Sequence, residues 1–144
     1  MPRSPAKNAE VRDSRKSQIL NAALTVYIRY GYHGTDMDMV AKEANLAKGL
    51  LYYYYKTKKE LFMALYSWRF QESYAFSETL LNDVKDKNPV EQLMGYVYGM
   101  FGANKADHRF MQFNMHIPFD AAAIFGPEEC EEGAAKSDLP RKTL

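Results

Sequence analysis

Apolar positions in this chain recur at helical spacing, and no strand-like alternation is sustained. Ile19, Ala22, Ala23, Val26, Tyr27 and Tyr30 fall at i, i+3, i+4, i+7, i+8 and i+11, one face of an amphipathic helix. Ser14 is the expected cap of that helix, and Gly31 supplies the left-handed position that stops it. A short helix follows, with Thr35 as cap, Asp38 completing a capping box, and Val40, Ala41 and Ala44 as its inner face. Asn45 tolerates positive φ and is the expected turn, with Leu46 plugging the space behind it. The next helix is expected over residues 47–55, with Leu51 and Tyr55 inward.

Thr57-Lys58-Lys59-Glu60 is a capping box opening a long helix to about Leu81. Residues 82–88 form a polar linker. Asn88 and Pro89 then start a helix whose apolar face is Leu93, Met94, Val97, Tyr98 and Phe101. A last helix is expected from Asp107 to Pro118, where the proline stops it. The fold class is therefore all-α. The expected organisation is a flexible basic arm (1–13), a helix-turn-helix domain (14–57), an incomplete helical regulatory domain (58–125) and a disordered tail (126–144).

Charge adds a function to this outline. Residues 1–70 hold twelve Lys/Arg against six Asp/Glu, and residues 71–144 hold seven against twelve. A basic half suits a nucleic-acid-facing module joined to something else. The stretch Lys48-Gly49-Leu50-Leu51-Tyr52-Tyr53-Tyr54-Tyr55 concentrates groups that meet DNA. Tyrosine hydroxyls and ammonium groups donate to phosphate, while Lys48, Leu50 and Tyr53 can reach base edges. Gly49 lets backbone approach a surface closely. Lys58, in the first turn of a helix, is explained by a phosphate bound there.

Twelve aromatics and five methionines lie between Lys56 and Asp120. Trp68, Tyr98, Phe101, Phe110 and Met111 are the candidates for lining a pocket for a bulky apolar ligand. The three histidines are scattered, and His108 and His116 are eight apart rather than four. No nucleophile motif or phosphate-cradling glycine loop is present, so neither an enzyme nor a metal site is expected, and no cofactor is implied. The single cysteine, Cys130, allows no disulfide within the chain. The N-terminus has no apolar signal-peptide core, and no run approaches a membrane span, so the expected location is cytoplasmic.

Residues 15–65 resemble the tetracycline-repressor (TetR) family of transcriptional regulators. The resemblance rests on Gly31-Tyr32, Thr35, Val40-Ala41, Ala44, Lys48-Gly49, Leu51-Tyr52, Tyr54-Tyr55, Lys56-Thr57-Lys58 and Glu60-Leu61-Phe62. It implies a homodimeric DNA-binding protein, usually a repressor, whose C-terminal helical domain binds a small ligand and releases a palindromic operator. By position, Thr35, Tyr52, Tyr54 and Lys58 would touch phosphates, while Lys48, Gly49, Leu50 and Tyr53 would face base edges. Asn45 stands where the family usually has glycine, and Ala47 where it has a serine cap. Family members typically continue past residue 144 into the helices that pair two subunits. A second reading is therefore a truncated interaction module that pairs with a full-length relative and modulates it.

Overall fold

A computed structural model describes residues 4–126, and every regular element among them is a helix. The elements are α1 (Pro5–Gly34), α2 (Met37–Glu43), α3 (Lys48–Tyr54), α4 (Lys58–Val84), α5 (Pro89–Ala106) and α6 (Arg109–Phe125). The expected tail lies almost wholly outside the described residues.

The first helix begins at Pro5, not near Ser14, so residues 5–13 are not a flexible arm. Ser4 and Pro5 form a stronger start than Ser14: Ser4 Oγ accepts from Lys7 N at 3.4 Å, and Pro5 supplies a fixed φ at a position with no helical donor to lose. The added turns are exposed as far as Arg15. Burial starts at Ile19 and covers Leu20 and Leu24 as well as the expected face, because α1 packs against α2 on one side and α4 and α6 on another. Tyr30, placed on the inner face by periodicity, is 56% exposed. Gly31 takes φ 70° as expected, and the chain resumes a helical turn through Gly34.

Tyr27 is the centre of the core. Its ring meets Phe62 and Phe113 edge-on at 5.4 and 5.9 Å, and its hydroxyl donates to Asp120 Oδ2 at 2.7 Å. One residue of α1 thus fixes both α4 and α6.

Two expectations fail in the second half. Pro118 does not stop α6, which runs through it to Phe125. The proline leaves the carbonyl of Asn114 without its helical donor, but Asn114 is exposed and water can serve it. Phe113, Ile117 and Ile124, buried against the rest of the core, hold the helix together on both sides. In α5, the apolar stripe faces solvent: Leu93 is 65% and Tyr98 69% exposed. The face that packs on α4 is the glycine side. A Cβ on Gly95 would stand 2.6 Å from Val84 Cγ1, and one on Gly99 would run into Leu80. Tyr96 and Ser77 share a hydrogen bond on that side. Small residues admit the closest approach of two helix backbones, and this overrides apolar periodicity in choosing the packed face.

Candidate nucleic-acid interface

The α2–turn–α3 unit is built from small residues and backbone hydrogen bonds. Val40, Ala41 and Ala44 are buried on α2 and Leu51 on α3, with Leu46 partly buried between them. Asn45 takes φ 53°, which makes the turn without glycine. Its N–H donates to Lys42 O at 3.0 Å, and Leu46 N donates to Ala41 O at 2.9 Å. Gln18 Nε2 donates to Ala44 O at 2.7 Å, so α1 closes the end of α2 from outside. Sequence periodicity gives no sign of that bond, which joins residues far apart in the chain.

The cap of α2 is Asp36, not Thr35: Asp36 Oδ1 accepts from Met39 N at 2.8 Å. Thr35 is instead buried, 2% exposed, with its hydroxyl donating to Gly31 O at 2.7 Å. It cannot offer that hydroxyl to a phosphate while it closes α1. Ala47 caps α3 with no side-chain bond, as its methyl requires.

On α3, Lys48 and Gly49 are exposed, Leu50 is half-buried, and Tyr53 is 70% exposed. A Cβ built on Gly49 meets nothing within 4 Å. These four residues make a continuous outward face. Tyr52 and Tyr54 lie half-buried at its edges, and Tyr54 meets Tyr53 edge-on at 5.3 Å. Tyr55 turns inward, and burial pushes its phenol pKa up. The Lys48 ammonium pairs with Asp38 Oδ1 at 2.6 Å, across from α2. Asp38 acts through that contact to raise the Lys48 pKa, keeping the ammonium charged.

Lys58 is not aimed at solvent. Its Nζ donates to Tyr32 O at 2.6 Å and Thr35 O at 3.0 Å, and stands 4.3 Å from the centre of the Tyr32 ring. The expected phosphate ligand is thus a clamp on the C-terminal carbonyls of α1. The capping box at α4 forms, with Glu60 N donating to Thr57 Oγ1 at 3.1 Å. The Glu60 carboxylate reaches back one residue further than usual, accepting from Lys56 N at 2.8 Å.

The residues expected to line an apolar pocket do not converge on one. Trp68 and Phe110 come together around the Arg69 guanidinium, at 5.6 and 5.4 Å. Tyr98, Phe101 and Met111 are 69%, 60% and 39% exposed and enclose nothing. The physical reason is the rotation of α5 onto its glycine face, which turns Tyr98 and Phe101 outward. Among the described residues no group of three or more His, Cys, Asp or Glu could hold a metal ion, and no helix is long and apolar enough to cross a membrane.

Comparison with known proteins bears on the same segment. Residues 19–65 match the family described as bacterial regulatory proteins, tetR family. The HTH-type transcriptional regulator YhgD of Bacillus subtilis is 40% identical over 73 residues, 51% of this chain and 32% of that protein. The fatty acid metabolism regulator protein of Bacillus subtilis is 29% identical over 92 residues, 63% of this chain and 46% of that protein. A TetR-like transcriptional regulator from Rhodococcus sp. RHA1 superposes with a TM-score of 0.62 at 29% identity, covering 83% of this chain and 64% of that structure. The match therefore spans about a third of the length of the first of these two curated relatives and under a half of the second.

Proposed function

We propose, from the match of residues 19–65 to the tetR family of bacterial regulatory proteins, that the chain is a sequence-specific, double-stranded-DNA-binding transcriptional regulator. The observation that carries this reading is the outward face of α3, where Lys48, Gly49, Leu50 and Tyr53 stand together on a helix held rigidly by α1 and α2. A seven-residue helix projecting from a packed base fits the major groove. Lys48 suits the acceptors of guanine, and Leu50 suits the thymine methyl. Gly49 lets the helix N-terminus come close to the duplex. Tyr52 and Tyr54, at the edges, donate to phosphates and set the register. Thr35 and Lys58 act one step back, by fixing the junction of α1, α2 and α4 from which α3 projects.

A regulator of this kind represses by occupying DNA that polymerase needs, and a palindromic operator suits a paired reading head. Any small ligand would act from the α4–α6 half. The Trp68–Arg69–Phe110 cluster is where an apolar ligand with a polar group would have to be accommodated.

Selection of bound genomic fragments by the purified chain at stated salt tests the reading. Recovery of a common palindrome supports it. Recovery of fragments with no shared sequence would remove sequence-specific regulation from consideration. The exposed α5 stripe supports a second reading, a module that pairs with a longer chain of the same family. In that case specific fragments are recovered only when such a chain is present.

A further inference from the structure

Residues 5–16 of α1 form a helical extension about 18 Å long, exposed throughout apart from the half-buried Lys16. The inner face of α1 changes character where this extension begins. At about 100° per residue, Ile19, Ala23 and Val26 lie within one arc of about 100°, and all three are buried. The same arc, carried back toward the N-terminus, holds Arg12, Arg15 and Lys16, with Asn8 beyond them. Glu10 and Asp13 fall outside it, Asp13 beside its edge. None of the three cations has an ion pair among the described residues.

The path of α2 fixes what this cationic face looks toward. Met39, in the first half of α2, shares a groove with Val26 and Tyr30 of α1, while Ala44, at the other end of α2, accepts from Gln18. The chain thus runs back along α1 and leaves α2 level with Gln18, where the turn leads into α3. Arg12 and Lys16 lie beyond that level on the side that α2 occupies, because Val26 and Tyr30, which border α2, share their arc. Arg15 is tied into the same junction: its guanidinium donates to Gln18 Oε1 at 2.9 Å, and Gln18 holds the Ala44 carbonyl. We propose that the α1 extension is a second DNA contact, a rigid arm whose Arg12 and Lys16 bind backbone phosphates flanking the bases that α3 meets. The proposal rests on the DNA-binding reading of α3 and extends it to a segment outside the helix-turn-helix. A duplex docked on α3 is an anionic polymer brought alongside an already formed helix, so the arm gains its ionic contacts without first having to fold. Contacts of this kind add affinity and fix orientation but read no sequence.

Filter binding of the full chain at several salt concentrations tests it, with two probes: a duplex selected by the wild type and a mixed-sequence duplex of the same length. The double variant Arg12→Ala/Lys16→Ala keeps the wild-type circular dichroism and lowers the slope of log affinity against log salt by about 1.8, or about 0.9 for each contact. It loses the same factor on both duplexes, so the preference between them is unchanged. Arg12→Lys/Lys16→Arg keeps the charges and therefore the slope. Hydroxyl-radical cleavage shows backbone protected by the wild type, at the flank of the selected site, that the alanine variant leaves open. An unchanged slope in the alanine variant overturns the arm, as does a lowered slope that comes only with lost helical circular dichroism. An equal fall in the charge-keeping variant, or a loss confined to the selected duplex, overturns the phosphate role. Failure of the α3 reading is distinguishable. A wild type with no preference between duplexes, whose slope still falls in the alanine variant, removes sequence reading and keeps the arm. A wild type that binds neither duplex overturns both.

Discussion

Lys58 and Tyr32 are joined twice: the Lys58 ammonium donates to the Tyr32 carbonyl at 2.6 Å and stands 4.3 Å from the centre of its ring. The contact links the first turn of α4 to the last turn of α1, beside the buried Thr35 that begins the path to α2. A lysine that touches DNA and a lysine that holds the reading head leave different signatures. Lys58→Ala is expected to lower stability in urea by about 1–2 kcal/mol, since charged hydrogen bonds and a partly exposed cation–π contact are lost together. The slope of log affinity against log salt is expected to stay unchanged. Lys48→Ala, by contrast, lowers that slope by about one unit without moving the unfolding midpoint. A slope change at Lys58 of the same size would return it to the phosphate contacts.

Asp38 tethers Lys48 at 2.6 Å, on the surface proposed to meet DNA. Asp38→Asn removes a negative charge from that surface and frees the ammonium. Binding to the operator is expected to tighten by about 2- to 10-fold at low salt, and the gain shrinks as salt screens it. Filter binding of the two proteins at several salt concentrations decides this, and weaker binding by the variant would show that Asp38 positions Lys48 rather than competes for it.

Gly49 sits in a helix with open space where a Cβ would go. Gly49→Ala should therefore stabilise α3 by roughly 0.5–1 kcal/mol, because alanine is the better helix former. On the proposed face the same methyl would stand between the α3 backbone and a duplex. Operator affinity is expected to fall while the melting temperature rises, and a variant that gained on both measures would place the DNA contact elsewhere.

Tyr27 is buried, and desolvation together with the Asp120 carboxylate pushes its phenol pKa well above the ordinary 10.0. A group whose folded pKa exceeds its unfolded value stabilises the fold fully below the unfolded value. That contribution is lost as pH rises beyond about 10. Wild-type stability should fall above pH 10, and Tyr27→Phe should fall less steeply. At neutral pH the variant loses about 1 kcal/mol for the hydrogen bond, with its ring packing kept. Parallel urea titrations at pH 7 and above pH 10 separate the two effects.

Local signals carried most of the fold into the sequence. Ser and Thr caps, Gly31, Asn45 and the Thr57–Glu60 box are short-range chemistry, and apart from the choices between Ser14 and Ser4 and between Thr35 and Asp36 they place the helices well. The outward face of α3 was legible for the same reason, since four residues of one short helix decide it. What periodicity hid was long-range choice. Nothing near Tyr98 says that α5 will pack through Gly95 and Gly99, because the deciding partners, Leu80 and Val84, lie on another helix. Nothing near Lys58 says that its charge is taken by the carbonyls of Tyr32 and Thr35. Pro118 misled because a helix buried on both sides of a proline outlasts one missing bond.

Gln18 and Tyr27 sit on one stretch of α1 with no non-helical residue between them, one bonded to the turn before α3 and the other to α6. That stretch is an axle with a crank at each end. A displacement of α6 that kept both bonds would therefore reach the turn at Ala44 through α1 alone, with no change required within α3.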